Sequence, residues 1–235
     1  MIESHLSGRQ LFVTTHNAFV LNRLGLDKLA LLSQGCSPRC IEDLGDDTID
    51  YFRKQSGVDT LRIILGKRIV LVEGPSDEMI FNWAYEKEHS CDPQSNGIDV
   101  ISYGVRGKRA LELASALDKG PIAVLRDNDG KPAEKWKDDA GPYLSDRRRM
   151  FIGENTSLAT LEPQMVSANE HHLEAFAKLV GFDDGAPNFA DIVDYMKSHK
   201  TDWAWTFVAG NSPDRDEMIV PRYIAAAIEF ISQDE

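Results

Sequence analysis

The side chains best suited to chemistry are four carboxylates that follow two apolar, β-branched segments: Glu73, Asp77, Asp127 and Asp129. Such segments, here 69–72 and 122–125, are typical of buried parallel strands, whose carboxyl ends meet at one edge of a sheet. Carboxylates gathered there repel one another unless a divalent cation lies between them. The pattern therefore predicts a site for Mg²⁺ or Mn²⁺, and hard cations at such an edge most often handle phosphate.

The elements that must position these carboxylates are strands that alternate with helices. Strands are predicted at Arg68 to Val72, Ile98 to Ser102, Ile122 to Leu125 and Met150 to Ile152. Helices from Ser76 to Glu88 and from Lys108 to Leu117 separate the first three strands. Because helical crossovers of this length join parallel strands, we expect an α/β fold with a doubly wound parallel sheet.

The chain on either side of this alternation gives further predictions. Before it we expect a buried strand at Gln10 to Thr15, a helix at Ala18 to Leu24, a strand at Lys28 to Leu32, a polar linker at Cys36 to Asp47, and helical structure from Asp47 to Leu65. After it we expect a helical subdomain with helices at Val166 to Val180, Phe189 to Ser198, Asp202 to Val208 and Pro221 to Ile231.

Composition narrows the class of protein. The 235 residues are 42% hydrophobic and 27% charged, as is ordinary for a globular protein. No apolar run approaches about 18 residues, so no membrane span is expected, and the N-terminus lacks the features of a secretory signal. Three cysteines argue for a reducing cytoplasm over a disulfide framework.

The net charge of −12 argues against a protein that coats DNA without specificity, because such proteins need a basic surface. It does not exclude a nuclease, since bound metal ions offset acidic charge and local basic clusters can hold phosphates. The cluster proposed for phosphate contact is Arg106, Lys108 and Arg109.

The acidic motifs carry a family resemblance. Glu73-Gly74-x-x-Asp77 together with Asp127-x-Asp129-Gly130 resembles the toprim signature, which topoisomerases, bacterial primases and one group of nucleases share. The alternative that the residues leave open is a flavodoxin-like sheet with acidic loops at its edge.

The first 35 residues or so resemble the end of an ABC-type ATPase. There a strand leads into Thr14-Thr15-His16-Asn17, and the resemblance implies that His16 senses a nucleotide γ-phosphate. No GxxxxGK[ST] loop is present, so this chain alone is not expected to hydrolyse ATP.

An ATPase tail joined to a toprim domain resembles the OLD (overcoming lysogenization defect) nucleases. This resemblance divides the chain into an ATPase remnant and linker (1–46), a toprim catalytic domain (47–162) and a helical region that completes the site (163–235).

The OLD resemblance implies a metal-dependent DNA endonuclease or nickase that uses two Mg²⁺ or Mn²⁺ ions. Thr160-Leu161-Glu162 resembles the family's further acidic position, and Lys200-Thr201-x-x-Ala204 resembles its Lys-Thr-x-x-Ala motif. Glu73 is expected to lie between the two ions. Four other acidic residues are expected to complete the coordination of these ions: Asp77, Asp127, Asp129 and Glu162. Lys200 is expected to place a positive charge on the scissile phosphate.

The expected partners are DNA and the missing ATPase half, in cis or in trans, without a membrane; a homodimer is one open arrangement. The alternative function is a non-catalytic, ATPase-associated module whose acidic edge binds Mg²⁺ or a nucleotide for assembly. A nuclease would cut plasmid DNA with Mg²⁺ or Mn²⁺ and stop with EDTA, whereas the module would not cut.

Overall fold

The computed structural model describes residues 12–15, 29–32, 39–40, 45–54, 58–210 and 212–233. The strands are β1 (Ala30–Leu31), β2 (Arg39–Cys40), β3 (Arg68–Val72), β4 (Ile98–Ser102), β5 (Ile122–Arg126) and β6 (Arg148–Ile152). The helices are α1 (Asp46–Lys54), α2 (Val58–Leu65), α3 (Pro75–His89), α4 (Gly107–Ala116), α5 (Ala133–Ala140), α6 (Leu161–Ala168), α7 (Leu173–Leu179), α8 (Phe189–His199), α9 (Asp202–Ala209) and α10 (Arg222–Ser232).

The centre of the fold is a four-stranded sheet in the order β4-β3-β5-β6, and all three neighbouring pairs are parallel. Strands β3 and β5 occupy its middle and are buried along nearly their whole length. Such strands need apolar side chains on both faces, which explains their continuous hydrophobic sequences. The short strands β1 and β2 form a separate antiparallel pair.

Each face of the sheet has its own hydrophobic core, because successive side chains of a strand point to opposite faces. On one face, Val70 and Leu125 pack with α3 and the C-terminal helices α6 to α10. On the other face, Leu71 and Val124 pack with α1, α2, α4 and α5. The fold is therefore the expected doubly wound α/β sheet, and the C-terminal helices share a core with it.

Most predicted elements of the α/β region are confirmed to within two residues at each end. The strands at 68–72 and 98–102 have the predicted bounds, and the predicted helical stretch 47–65 contains α1 and α2. The predicted strand at 28–32 contains the two residues of β1. The helix at 18–24, His16 and most of the linker at 36–47 lie outside the described residues.

The predicted buried strand at Gln10 to Thr15 is wrong for the four residues that are described. Residues 12–15 are in no strand, and Phe12 and Val13 are 81% and 46% exposed. An apolar segment becomes a buried strand only where a neighbouring strand accepts its hydrogen bonds. None of the described strands pairs with this segment.

The predicted single helix from Val166 to Val180 is wrong, because the chain forms α6, a short turn and α7 instead. The cause is Asn169, whose buried side chain donates hydrogen bonds to Met165 O and Ile219 O at 2.8 and 2.9 Å. Its Oδ1 accepts a hydrogen bond from Ile219 N at 2.8 Å. These bonds tie the chain to a distant loop and end the helix.

Helix α5 was not predicted from the sequence. It has three apolar residues, Ala133, Trp136 and Ala140, and the other five are polar or charged. With only one apolar side chain per turn, the pattern is too sparse to distinguish a surface helix from a loop. None of the described helices is both long and apolar enough to cross a membrane.

Candidate metal centre at the sheet edge

Two of the predicted acidic residues leave the same edge of the sheet. Glu73 directly follows β3 and Asp127 directly follows β5, and these strands are neighbours in parallel register, with Leu71 opposite Val124. Parallel neighbours end at the same edge, so the topology alone places both carboxylates there.

Asp77 reaches this edge from the first turn of α3. The helix begins after Gly74, with Pro75 as its first residue, a position that tolerates the missing N–H of proline. The Oδ2 atom of Asp77 accepts a hydrogen bond from Gly74 N at 3.1 Å. The carboxylate thus caps the helix and lies where the helix dipole favours negative charge.

The electrostatics show that the acidic residues are near one another. Burial, followed in order of importance by the nearby charges of Asp77, Glu73, Glu162 and Asp129, raises the pKa of Asp127 to about 8. Burial also raises the pKa of Asp77 to about 7, with contributions from Glu73 and Glu162. Asp127 is therefore near enough to the other four predicted acidic residues for each of their charges to act on it.

Glu73 has both a positively charged neighbour, Arg126, and a negatively charged one, Asp129. Burial raises its pKa, while Arg126 opposes the shift, Asp129 adds to it and a hydrogen bond from the Asp127 backbone opposes it. Glu73 Oε1 and Asp127 Oδ1 are both buried and accept no hydrogen bond, although Arg126 Nη1 lies 3.5 Å from Glu73 Oε1. Buried carboxylate oxygens without partners are costly, and a hard cation would satisfy them.

The donor set fits a divalent cation in chemistry, although its members are not drawn together to coordination distance. Among the described residues, no group of three or more His, Cys, Asp or Glu side chains already has the spacing of a metal site.

Glu162 belongs to the first turn of α6, a helix that follows β6 in the sequence. Its Oε2 atom accepts a hydrogen bond from Thr160 Oγ1 at 2.6 Å, and Thr160 is the residue that precedes the helix. The hydroxyl thus orients the carboxylate, and the helix N-terminus favours its charge.

Arg126, the last residue of β5, is not the surface charge that its place beside two aspartates suggests. Its side chain is only 10% exposed and forms salt bridges with Glu73 at 3.5 Å and Asp129 at 3.0 Å. Its guanidinium lies 3.8 Å from the ring centroid of Trp136 on α5. The sequence shows that Arg126 lies at the end of β5. It does not show to which side a strand-end side chain turns.

Asn128 would have to turn outward from the end of the strand for Asp127 and Asp129 to point the same way by strand alternation alone. Instead it is fully buried, and its Nδ2 donates hydrogen bonds to Gly153 O, Asn155 O and Leu158 O. Its Oδ1 accepts a hydrogen bond from the backbone N–H of Gly130 at 2.8 Å. Asn128 therefore anchors the acidic loop to residues 153–158, which lead to Glu162.

Tyr223 on α10 is a further neighbour of the cluster that motif reading did not assign to the site. Its side chain is 8% exposed, and burial raises its pKa well above the ordinary value. Asp77, Asp127, Glu73 and Glu162 add to that rise in this order. The C-terminal helix thus places a buried phenol near the acidic edge.

The predicted cationic residues are less closely linked to the cluster. The Lys200 side chain is exposed between α8 and α9, its backbone has a φ of +44°, and its charge is not among those that shift the pKa of Glu73. Arg106 and Arg109 lie over the ring of Tyr51 in α1, at 5.0 and 5.5 Å. Lys108 lines a cavity of about 170 Å³ that Glu73 also lines. His16 lies outside the described residues.

Parts of the chain are similar to known proteins. The family described as "Overcoming lysogenization defect protein-like, TOPRIM domain" matches residues 64–129. A solved structure of the C-terminal region of the Xanthomonas campestris pv. campestris OLD protein has 18% identity and a TM-score of 0.47, covering 72% of this chain and 94% of that one. The C-terminal region of the Burkholderia pseudomallei OLD protein has 16% identity and a TM-score of 0.49, covering 71% of this chain and 97% of that one.

No protein of curated function matches the chain. The family match contains both acidic motifs, from Glu73 to Asp129, and ends at the second of them. Over residues 64–129 the chain is therefore similar to the TOPRIM domain of OLD-like proteins.

Proposed function

We propose that this chain is a metal-dependent DNA endonuclease or nickase that hydrolyses phosphodiester bonds. The observation that carries the proposal is the convergence of five carboxylates on one edge of a parallel sheet, two of them with buried oxygens that accept no hydrogen bond. This set supplies the hard oxygen donors that Mg²⁺ and Mn²⁺ prefer. A TOPRIM domain of the OLD-like kind is consistent with this chemistry.

We assign the metal-holding role to Glu73, Asp77, Asp127, Asp129 and Glu162, with Glu73 shared between two cation positions. Bound ions of this kind would supply an activated water and neutralise charge on the phosphate and the leaving oxygen. Asp77 and Glu162 accept hydrogen bonds from Gly74 N and Thr160 Oγ1. The protein therefore orients two of these metal ligands before any substrate arrives.

The remaining roles belong to cationic side chains. We propose that Lys200 contacts the scissile phosphate, where negative charge grows on the nonbridging oxygens during hydrolysis. Lys108 is exposed beside the cavity that Glu73 lines, which supports a role in holding the DNA backbone. The same role for Arg106 and Arg109 requires that they leave Tyr51 when DNA binds.

We propose that the chain works in the cytoplasm with an ABC-type ATPase, in cis or in trans, and that His16 reports on the nucleotide. On this proposal 1–46 belong to the ATPase side, 47–162 to the nuclease core and 163–235 to the helices that complete the site. The packing of α6 to α10 against the sheet supports a structural role for the last part.

The test is plasmid cleavage with the purified chain. Supercoiled DNA should be converted to nicked or linear forms with Mg²⁺ or Mn²⁺, and EDTA should stop the reaction. Glu73→Ala and Asp127→Ala should each lose more than about a hundredfold in rate, because even outer partners of a metal site cost about 10–100-fold. Asp138→Asn, an exposed carboxylate on α5, is the matched control and should cut like the parent.

Two results would contradict the proposal in different ways. If Glu73→Ala and Asp127→Ala cut like the parent, the activity comes from elsewhere or from a contaminant. If the parent binds Mn²⁺ and cuts neither single-stranded nor duplex DNA, the acidic edge is the non-catalytic, ATPase-associated module instead.

A further inference from the structure

Arg126 is a cation built into the acidic edge. It is the last residue of β5, and its guanidinium bridges two carboxylates, with Nη1 3.5 Å from Glu73 Oε1 and Nη2 3.0 Å from Asp129 Oδ2. Glu73 is 16% exposed and Arg126 is 10% exposed, so this pairing takes place largely out of water. A pair of this kind is screened far less than one at the surface.

Trp136 holds the guanidinium in this place. The Arg126 Cζ atom lies 3.8 Å from the centroid of the Trp136 ring, within the range of a cation–π contact. The ring is itself fixed, because Trp136 Nε1 donates a hydrogen bond to Asn128 O at 3.1 Å. Lys131 and Lys135 lie near the same ring at 5.2 and 5.6 Å, but both are exposed.

Arg126 divides the acidic edge into two parts. Glu73 and Asp129 share its positive charge, whereas no cationic side chain of the described residues forms a salt bridge with Asp77, Asp127 or Glu162. Within the described part of the chain, Asp77, Asp127 and Glu162 are therefore left without a compensating cationic side chain. A guanidinium already lies between Glu73 and Asp129.

We propose that Arg126 occupies the second cation position of the free protein, so that the free protein binds one divalent ion. A second ion binds between Glu73 and Asp129 only when the guanidinium leaves them, because a divalent ion sharing these ligands would repel it. A DNA phosphate is the group that draws it away, since the arginine fork pairs with phosphate in two parallel hydrogen bonds. This inference rests on the proposed function and adds a role for DNA in completing the metal centre.

The experiment is titration of the metal-free protein with Mn²⁺ in the absence of DNA. Binding is monitored by calorimetry and by the electron paramagnetic resonance signal of free Mn²⁺. The parent is expected to bind one ion, and Arg126→Gln is expected to bind two. Lys131→Gln is the matched control, because it removes one positive charge near Trp136 without touching a carboxylate; it is expected to bind one ion.

A second variant keeps the inference testable if Arg126→Gln does not fold. Trp136→Leu leaves the charge in place but removes the ring beneath it, so the second ion should bind at higher Mn²⁺ concentration than in Arg126→Gln. Thermal unfolding gives an independent readout: Mn²⁺ should raise the Tm of both variants more than that of the parent, because a protein is stabilised by each ion that binds its native state.

The outcomes separate this inference from the proposed function. Two ions in the parent, or one ion in both Arg126→Gln and Trp136→Leu, would overturn the role of Arg126 while the nuclease proposal stands. No Mn²⁺ bound by any of the proteins would overturn both. The expected stoichiometries with no DNA cleavage under any condition would leave the role of Arg126 intact and remove the nuclease.

Discussion

The Nδ2 atom of Asn128 donates a hydrogen bond to Gly153 O at 3.0 Å, across 25 residues of sequence. This bond joins the loop that carries Asp127 and Asp129 to the segment that follows β6. With the further bonds to Asn155 O and Leu158 O, one amide uses both of its N–H groups to hold this segment. Asn128 therefore fixes the relative position of two acidic parts of the site without being acidic itself.

Replacement of Asn128 by Ala should destabilise the protein, because it leaves buried backbone oxygens without partners. We expect the free energy of unfolding to fall by about 2–4 kcal/mol, measured by urea denaturation. Asn155→Ala is the control: Asn155 is exposed, and its side chain accepts one hydrogen bond, from Ser157 N. It should cost less than about 1 kcal/mol. Equal costs for the two variants would contradict the anchoring role of Asn128.

The metal-free protein should become less stable as the pH rises. The pKa of Asp77 is raised to about 7 and that of Asp127 to about 8, from 3.8 in both cases. Between the ordinary pKa of 3.8 and these raised values, the folded state therefore binds more protons than the unfolded state. Stability from the two protonated carboxyls is fully present below about pH 4 and is lost as the pH rises through about 7 to 8.

Thermal unfolding in EDTA from about pH 5 to about pH 8.5 measures this trend. The Tm should fall across the range, and saturating Mg²⁺ should reverse the fall because a bound cation favours the ionised carboxylates. Asp127→Asn should show a flatter profile, since its amide does not titrate. A Tm in EDTA that rises with pH would show that these carboxylates are already ionised in the folded protein.

Substitution of Lys200 by Gly should separate stability from activity. Lys200 has a φ of +44°, a conformation that costs a non-glycine residue of order 1–3 kcal/mol. Lys200→Gly should therefore raise the free energy of unfolding by about 1 kcal/mol, while DNA cleavage falls by about a hundredfold or more. Lys200→Ala should lose cleavage without the gain, and both should bind Mn²⁺ like the parent.

Lys197 is the matched control for this prediction, because it is an exposed lysine on the last turn of the preceding helix. Lys197→Ala should cut DNA like the parent. If Lys200→Ala also cuts like the parent, Lys200 has no role at the phosphate, whatever the stability of the glycine variant.

Gly107→Ala should destabilise the start of α4 through a steric conflict. A Cβ atom at this position would lie 2.8 Å from Val124 Cγ1, in the buried face of β5. Since the backbone of Gly107 is already helical, the cost is one of overpacking, about 1–3 kcal/mol. Val124→Ala should remove much of the conflict, so that the double variant costs less than the sum of the two single changes.

Gly141→Ala is the control for this prediction, because nothing lies within 4 Å of the Cβ atom it would introduce. We expect a change of no more than about 0.5 kcal/mol in the free energy of unfolding. Additive costs in the Gly107 and Val124 double variant would contradict the close approach of α4 to β5.

Some parts of the fold were predictable because their signals are local. The apolar runs of β3, β4 and β5 and the lengths of the helices between them indicated parallel strands, and the register places Glu73 and Asp127 on adjacent strand ends. The break at Asn169 was not predictable, since it depends on hydrogen bonds with Ile219, 50 residues away.

Sequence by itself determined that acidic side chains would meet at one edge of a sheet, because residues that directly follow neighbouring parallel strands share that edge. Tertiary structure alone decided their surroundings. It turned Arg126 inward between Glu73 and Asp129, buried Asn128 and brought Glu162 and Tyr223 beside the cluster. The physical reason is that partners of a charge are chosen by packing between distant segments, and such packing leaves no periodic trace in the chain.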